Sequence, residues 1–321
     1  MRRIARWFIG KGTVLALVFA ARFSLADDAP PPEEIDNPLL PNAYRVVEKV
    51  ISGGLPEGDE AFAALKKLGI KTIISVDGAK PDVATAKKFG LRYVHLPHGY
   101  DGIPAERGRA LAKGVRDLPG PIYLHCHHGK HRSPAASAVA CVAAGLLPAD
   151  SALGVLQAAG TSENYRGLYQ SAREARRVPD ETLDQLVVEF PETAKIPALA
   201  GAMVEIEHAF DNLKVFQAAG WKPLPKQPAL DPAHEALLVK EHYHELLRRP
   251  EVRREPASFQ QILRDGEKAA ESLETALRAW LKAPAATPPE EIGRAFTEVD
   301  FSCATCHRQF RDVPLGEKQK R

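Results

Sequence analysis

Two short stretches hold residues whose types and spacing could do chemistry. The first is HCHHGKHRS, residues 125–133, which follows an apolar β-branched run and precedes a helical pattern. Backbone N–H groups of residues 127–132 can line a concavity, and the following helix turns its positive end towards it, so the stretch reads as an anion-binding loop. That field is expected to favour the thiolate of Cys126, a nucleophile. Gly129 permits a tight turn. Arg132 offers a planar fork for two phosphate oxygens, and Ser133 is placed to hydrogen-bond the sulfur as it leaves. The rim is crowded by His127, His128, His131 and Lys130. Such a rim suits an anionic substrate or, through imidazoles and Cys126, a metal ion.

The second stretch is CATCH, residues 303–307, the C-x-x-C-H spacing by which c-type haem is attached. Thiols at i and i+3 share a helical face and can reach both vinyl groups of one porphyrin, while His307 ligates the iron. Ile292, Phe296, Val299, Cys303, Cys306, His307 and Phe310 fall on one stripe, so one covalent haem would enter a helical interior. A local disulfide, a thioredoxin-like pair and half a zinc site are the other readings. A thioredoxin pair should open a helix after a strand, and no second cysteine pair completes a zinc site. Cys141, in SAVACVAAG, reads as a buried core thiol.

The elements that must position these stretches differ between the two halves. VEKVIS, KTIISV, LRYVHL and PIYLHC read as strands, alternating with helical patterns over 57–68, 81–89, 104–117 and 133–147. That alternation implies a parallel or mixed α/β sheet. Residues 149–190 read as further helices that close this domain and lead into a linker. Thereafter no strand pattern recurs. Helices are expected over about 193–218, 234–249, 257–283 and 289–312, separated by Pro-rich loops at 222–233 and 284–289. Phe259, Ile262, Leu263, Ala270, Leu273, Leu277, Trp280 and Leu281 form the stripe of the third, and four such helices make a bundle.

Length and charge bound the rest. The chain has 321 residues, 45% of them hydrophobic and 26% charged, enough for two domains and too apolar for general disorder. The formal charge of +2 misleads, because Arg2, Arg3, Arg6, Lys11 and Arg22 lie within the first 26 residues, where there is no acid. The remainder is net negative, which gives nucleic acid no electrostatic support as a partner. Those 26 residues combine a basic start, an apolar run over 13–21 and small residues at Ser24-Leu25-Ala26, the pattern of an export signal. The run is about half the ~20 residues a membrane span needs. The mature chain is therefore expected to be periplasmic or otherwise exported, with no membrane span. Residues 27–43, acidic and Pro-rich, read as an extended tether.

His-Cys, five residues, Arg-Ser resembles the signature of the cysteine-dependent protein tyrosine phosphatases, in their dual-specificity-like branch. The likeness spans roughly residues 44–170. It implies a phosphocysteine intermediate on Cys126, phosphate binding by Arg132, turnover assisted by Ser133 and orientation of the cysteine by His125. The family's acid for the leaving group would fall on Asp101 in HGYDGIP, with Asp82 as the rival. A haem motif on the last of four helices is similar to the cytochrome c′ and class II cytochrome c family, over residues 193–315, with 171–192 as linker. That likeness implies Arg311 near a haem propionate and either an open sixth position or Met203 as second axial ligand. His208, His242 and His244 are expected at the surface.

The fold expected is thus a two-domain chain, an α/β tyrosine-phosphatase-like domain followed by an all-α four-helix bundle carrying c-type haem. Its partners would be a phosphorylated substrate or other small anion and a redox protein, and bundles of this kind often pair as homodimers. Three functions stand side by side: a haem-linked phosphomonoester hydrolase, a cytochrome electron carrier with an inactive anion-binding domain, and a thiol or sulfur-transfer redox enzyme using Cys126.

Overall fold

The computed structural model describes residues 30–282 and 287–318. The segment read as an export signal, 1–26, lies outside them. The N-terminal half holds strands β1 (Glu33–Glu34), β2 (Tyr44–Val47), β3 (Val50–Gly53), β4 (Thr72–Ser75), β5 (Arg92–His95) and β6 (Ile122–His125). They form one mixed sheet in the order β1-β2-β3-β6-β4-β5. β6 runs parallel to β3 and β4, and β4 parallel to β5, whereas β2 is antiparallel to both β1 and β3. β6 therefore lies between two parallel neighbours, and the loop leaving its carboxyl end opens in the crevice where such sheets bind ligands.

Helices α1 (Gly58–Lys67), α2 (Val83–Lys88), α3 (Ala105–Asp117), α4 (Arg132–Ala143), α5 (Ala152–Ala158), α6 (Arg166–Glu174) and α7 (Asp180–Gln185) surround the sheet. Every residue of α4 is buried. Its run of Ala, Ser and Val carries no polar face, so it can only lie inside, packed on β3, β6, α3, α5 and α6. α4 is thereby held at the end of β6, with residues 126–131 as the loop between them.

Three expectations need correction here. VEKVIS is not one strand: Glu48 and Lys49 form the turn of the β2–β3 hairpin, with Val46 and Val50 buried on either side. From residue 30 on, the stretch expected as a tether is not simply one, since β1 adds an edge strand and Leu40 and Ala43 are buried in the core beside Phe62 and Tyr123. Burying those two apolar residues holds the Pro-rich stretch down. The linker expected over 171–192 packs on the first domain as well. Leu183 is fully buried in its core, Phe190 packs against that core, and the His95 amide donates to the Pro191 carbonyl.

The C-terminal half is helical. α8 (Ala198–Ala218), α9 (Pro232–Arg248), α10 (Pro250–Arg253), α11 (Ala257–Lys282) and α12 (Glu290–Cys306) are followed by a π-helical turn, His307–Arg311, and α13 (Leu315–Lys318). α8, α9, α11 and α12 share one apolar cluster that includes Phe210, Phe216, Tyr243, Leu273, Trp280 and Phe296. α9 begins at a cap in which the Asp231 carboxylate accepts from the His234 amide at 2.7 Å, with Pro232 following it. α8 starts at Ala198 instead of 193 because Pro197 occupies its N-cap. The last helix does not run unbroken to 312. It widens at His307, whose carbonyl accepts from the Asp312 amide at 2.8 Å, a distortion that recurs at functional positions. No helix among the described residues is long and apolar enough to cross a membrane.

Candidate functional site

Cys126 is the first residue after β6 and is 2% exposed. Its Sγ lies 3.3 Å from Ser133 Oγ, and Ser133 donates to the Gly53 carbonyl at 2.9 Å. The serine has one hydroxyl hydrogen, so while it serves Gly53 the sulfur must be the donor of the pair. On a thiolate that hydrogen can swing to sulfur. Gly129 takes φ +74°, and a Cβ there would come within 2.5 Å of the Gly54 amide nitrogen. No side chain fits, and the loop closes tightly over Gly53 and Gly54. Among the described residues, the amides of His127 to His131 donate to no protein acceptor.

His125 holds the loop from beneath. It is buried, and that burial pushes its imidazole down to about 4, keeping it neutral. Its Nδ1 meets the Cys126 carbonyl at 3.2 Å and must be the donor there, so its Nε2 accepts from the Tyr93 hydroxyl at 2.6 Å. One tautomer satisfies both bonds and fixes the Cys126 backbone.

Arg132 is buried at the head of α4. Its Nη1 and Nη2 donate to the two carboxylate oxygens of Asp77 at 3.2 and 3.3 Å, while Nε has no partner. Burial pushes the Asp77 carboxyl up, but the Arg132 guanidinium and the Ala79 amide outweigh it and leave it below the usual range. The end of the guanidinium is thus occupied and its Nε edge is free for an oxyanion. The sequence reading missed Asp77. It stands just beyond β4, beside β6, and an acid directly after an apolar strand at the carboxyl edge was the available clue.

Tyr100, Tyr165 and the helical unit complete the rim. The Arg132 guanidinium carbon lies 4.4 Å from the Tyr100 ring centroid, and that of Arg311 lies 4.1 Å from the same centroid. His131 packs on Tyr165 at 4.5 Å, and burial holds its imidazole down at about 4. Lys130 is exposed. His127 pairs with Asp211 of α8, and His128 stands near Glu207 of the same helix.

Asp101 sits at the seam between the halves. Its carboxylate accepts from Lys318 Nζ at 2.8 Å and its carbonyl from the Leu315 amide at 3.0 Å. The rival, Asp82, caps α2 by accepting from the Thr85 amide. That structural task explains the acid without catalysis.

Cys303 and Cys306 are free thiols one turn apart on α12, both packed against the apolar cluster. Tyr243 Oη lies 3.1 Å from Cys303 Sγ. Burial pushes the Cys306 thiol up to about 11 and the His307 imidazole down to about 3. His307 is therefore neutral, and its Nε2 accepts from Arg311 Nη1 at 3.3 Å, so the lone pair a metal would use sits on that nitrogen. Two thiols packed against the apolar cluster, followed in sequence by a neutral imidazole, fit the donor set of a c-type haem. Met203 is half-buried against the same cluster, while His208 and His244 are exposed and His242 half-exposed. Cys141 is fully buried, with its thiol pushed up to about 12.

The site places a buried cysteine and a buried arginine at the carboxyl edge of the parallel strands of a mixed sheet. Among solved structures the chain is similar to TpbA of P. aeruginosa, at 21% identity over 48% of this chain and 93% of that one, with a TM-score of 0.39. A TpbA variant in complex with phosphotyrosine aligns at 22% identity over 45% and 90%, with a TM-score of 0.39. The core catalytic domain of the PP-IP phosphatase SIW14 of S. cerevisiae, in complex with citrate, aligns at 17% identity over 43% and 85%, with a TM-score of 0.35. No protein-family model and no curated protein sequence matches the chain.

Proposed function

We propose that the chain is an exported phosphomonoester hydrolase that works through Cys126 and is joined to a helical unit holding one covalent haem c. The observation that carries the first part is the unpartnered Nε of buried Arg132, on the helix start that follows Cys126 and the loop amides of His127 to His131, which donate to no protein acceptor among the described residues. A phosphate monoester would seat its oxygens on those donors. The Cys126 thiolate attacks phosphorus, forming an S–P bond as the bond to the leaving oxygen breaks. Once Lys318 releases it, the Asp101 carboxylate takes a proton from solvent, gives that proton to the leaving oxygen, and as carboxylate takes one from the attacking water. Ser133 turns its hydroxyl from Gly53 to the departing sulfur. Phosphate leaves and the thiolate returns.

In the helical unit, Cys303 and Cys306 would hold the porphyrin through thioether bonds, and His307 Nε2 would ligate its iron, with Met203 as the candidate for the opposite face. When bound, the group supplies one-electron transfer or the binding of a small ligand. A redox protein is the implied partner. The basic and apolar first 26 residues support export, the compartment in which c-type attachment occurs.

A second reading, an anion-binding domain without turnover, draws on two ion pairs. Asp77 holds one end of Arg132, and Lys318 holds Asp101. Aryl-phosphate hydrolysis by the exported, haem-loaded protein separates the readings. Turnover that disappears in Cys126→Ser and falls on the order of 100-fold in Asp101→Asn supports the hydrolase. A folded, haem-loaded wild type without turnover leaves the binding domain.

A further inference from the structure

On the outer rim of the loop, His127 and His128 face helix α8, which presents Glu207, His208 and Asp211 within little more than one turn. His127 Nε2 lies 3.5 Å from Asp211 Oδ2, and His128 Nε2 lies 3.9 Å from Glu207 Oε1. The imidazoles of His127 and His128 pack edge to face with centroids 4.3 Å apart, and the His208 ring is 6.2 Å from that of His127. One donor atom each from His127, His128 and Asp211 falls within 4.8 Å of the other two. Lys214 occupies Asp211 Oδ1 at 2.7 Å, which leaves Oδ2 towards the imidazoles.

We propose that His127, His128 and Asp211 bind one divalent transition-metal ion of the zinc class, and that this ion ties the cysteine-bearing loop to the helical unit. Two imidazoles and a carboxylate are a donor set that zinc accepts, with water completing four-coordination. Bond lengths of about 2.0–2.1 Å in a tetrahedron place donors about 3.3 Å apart. His127 and Asp211 already stand close to that separation. His128 is exposed on the rim. A proton on either ligating nitrogen would have to leave before the ion binds. Two ligands come from the loop and one from α8, so neither half carries the site alone. Metal binding here requires no turnover at Cys126 and stands apart from the hydrolase reading.

The test uses the full haem-loaded chain, freed of metal by a chelator and titrated with zinc chloride by calorimetry. One ion per chain is expected, with affinity weakened at least about tenfold in both His128→Ala and Asp211→Asn. Zinc-edge X-ray absorption on the wild type needs no substitution and should report only nitrogen and oxygen neighbours at about 2.0–2.1 Å. A sulfur shell at about 2.3 Å would put the ion on Cys126 or on the CATCH thiols and overturn the proposal. So would an affinity that neither substitution changes, or no binding at all.

Discussion

Arg311, four residues beyond CATCH, places its guanidinium carbon 4.1 Å from the centroid of Tyr100, a residue of the other half of the chain. The same ring receives Arg132 at 4.4 Å, so one aromatic side chain touches both the buried arginine at the head of α4 and the arginine that follows CATCH. Arg311 also pairs with Asp312 and meets His307 Nε2. A continuous series of contacts thus runs from His307 to Asp77.

That relationship is testable by a double-mutant cycle. Tyr100→Leu and Arg311→Ala should each destabilise the chain, and together by less than the sum, with a coupling of about 1–2 kcal/mol for a desolvated cation–π pair. Urea unfolding of the four proteins measures it. Additive effects would mean the two side chains are only neighbours.

Asp77→Asn removes one partner of a buried ion pair and leaves the Arg132 charge uncompensated. A loss of about 3 kcal/mol or more in unfolding free energy is expected. Binding of inorganic phosphate should restore part of it, because an oxyanion on Arg132 replaces the missing charge. Denaturant midpoints with and without phosphate check both statements.

Ser133→Ala should separate the two chemical steps. The sulfur loses its hydrogen-bond donor, so release from phosphorus slows more than attack on it. Rapid-mixing hydrolysis of an aryl phosphate should give a burst of phenolate followed by a steady rate lowered on the order of 100-fold. A proportional loss of burst and steady rate would place the serine elsewhere.

Acid should weaken the fold before the carboxylates titrate. His98 and His125 are buried and held down at about 4, whereas an unfolded histidine titrates near 6.5. Between those values the unfolded chain binds more protons, so the stability they confer is complete above about 6.5 and is lost as pH falls towards 4. Unfolding midpoints at pH 7, 5.5 and 4.5 should fall in that order. His125→Gln should flatten the slope.

The haem expectation has its own readout. Expressed with an export signal in cells that attach c-type haem, the chain should retain one haem per molecule through denaturing electrophoresis. The double variant Cys303→Ser, Cys306→Ser should lose it. Retention by the double variant would remove the attachment role from both thiols.

Much of the molecule was legible along the chain because its signals are local. HCHHGKHRS carries Cys126, Arg132 and Ser133 within nine positions, and the structure places Cys126 and Ser133 side by side because one loop and one helix start contain them. The apolar stripe of α11 and the alternation of strands and helices likewise depend only on periodicity. Contacts set by distant segments were not legible. Asp77 is 55 positions from Arg132 and Asp101 is 217 from Lys318, and nothing in either neighbourhood names the other. Helices within 149–190 were expected to close the first domain, but that Leu183 fills its core and that the His95 amide meets the Pro191 carbonyl was hidden for the same reason. Sequence by itself determined which side chains could react and how they are spaced. Only the tertiary structure decided which charges face them, because the position of an ion partner follows from packing of the whole chain and not from the order of its residues.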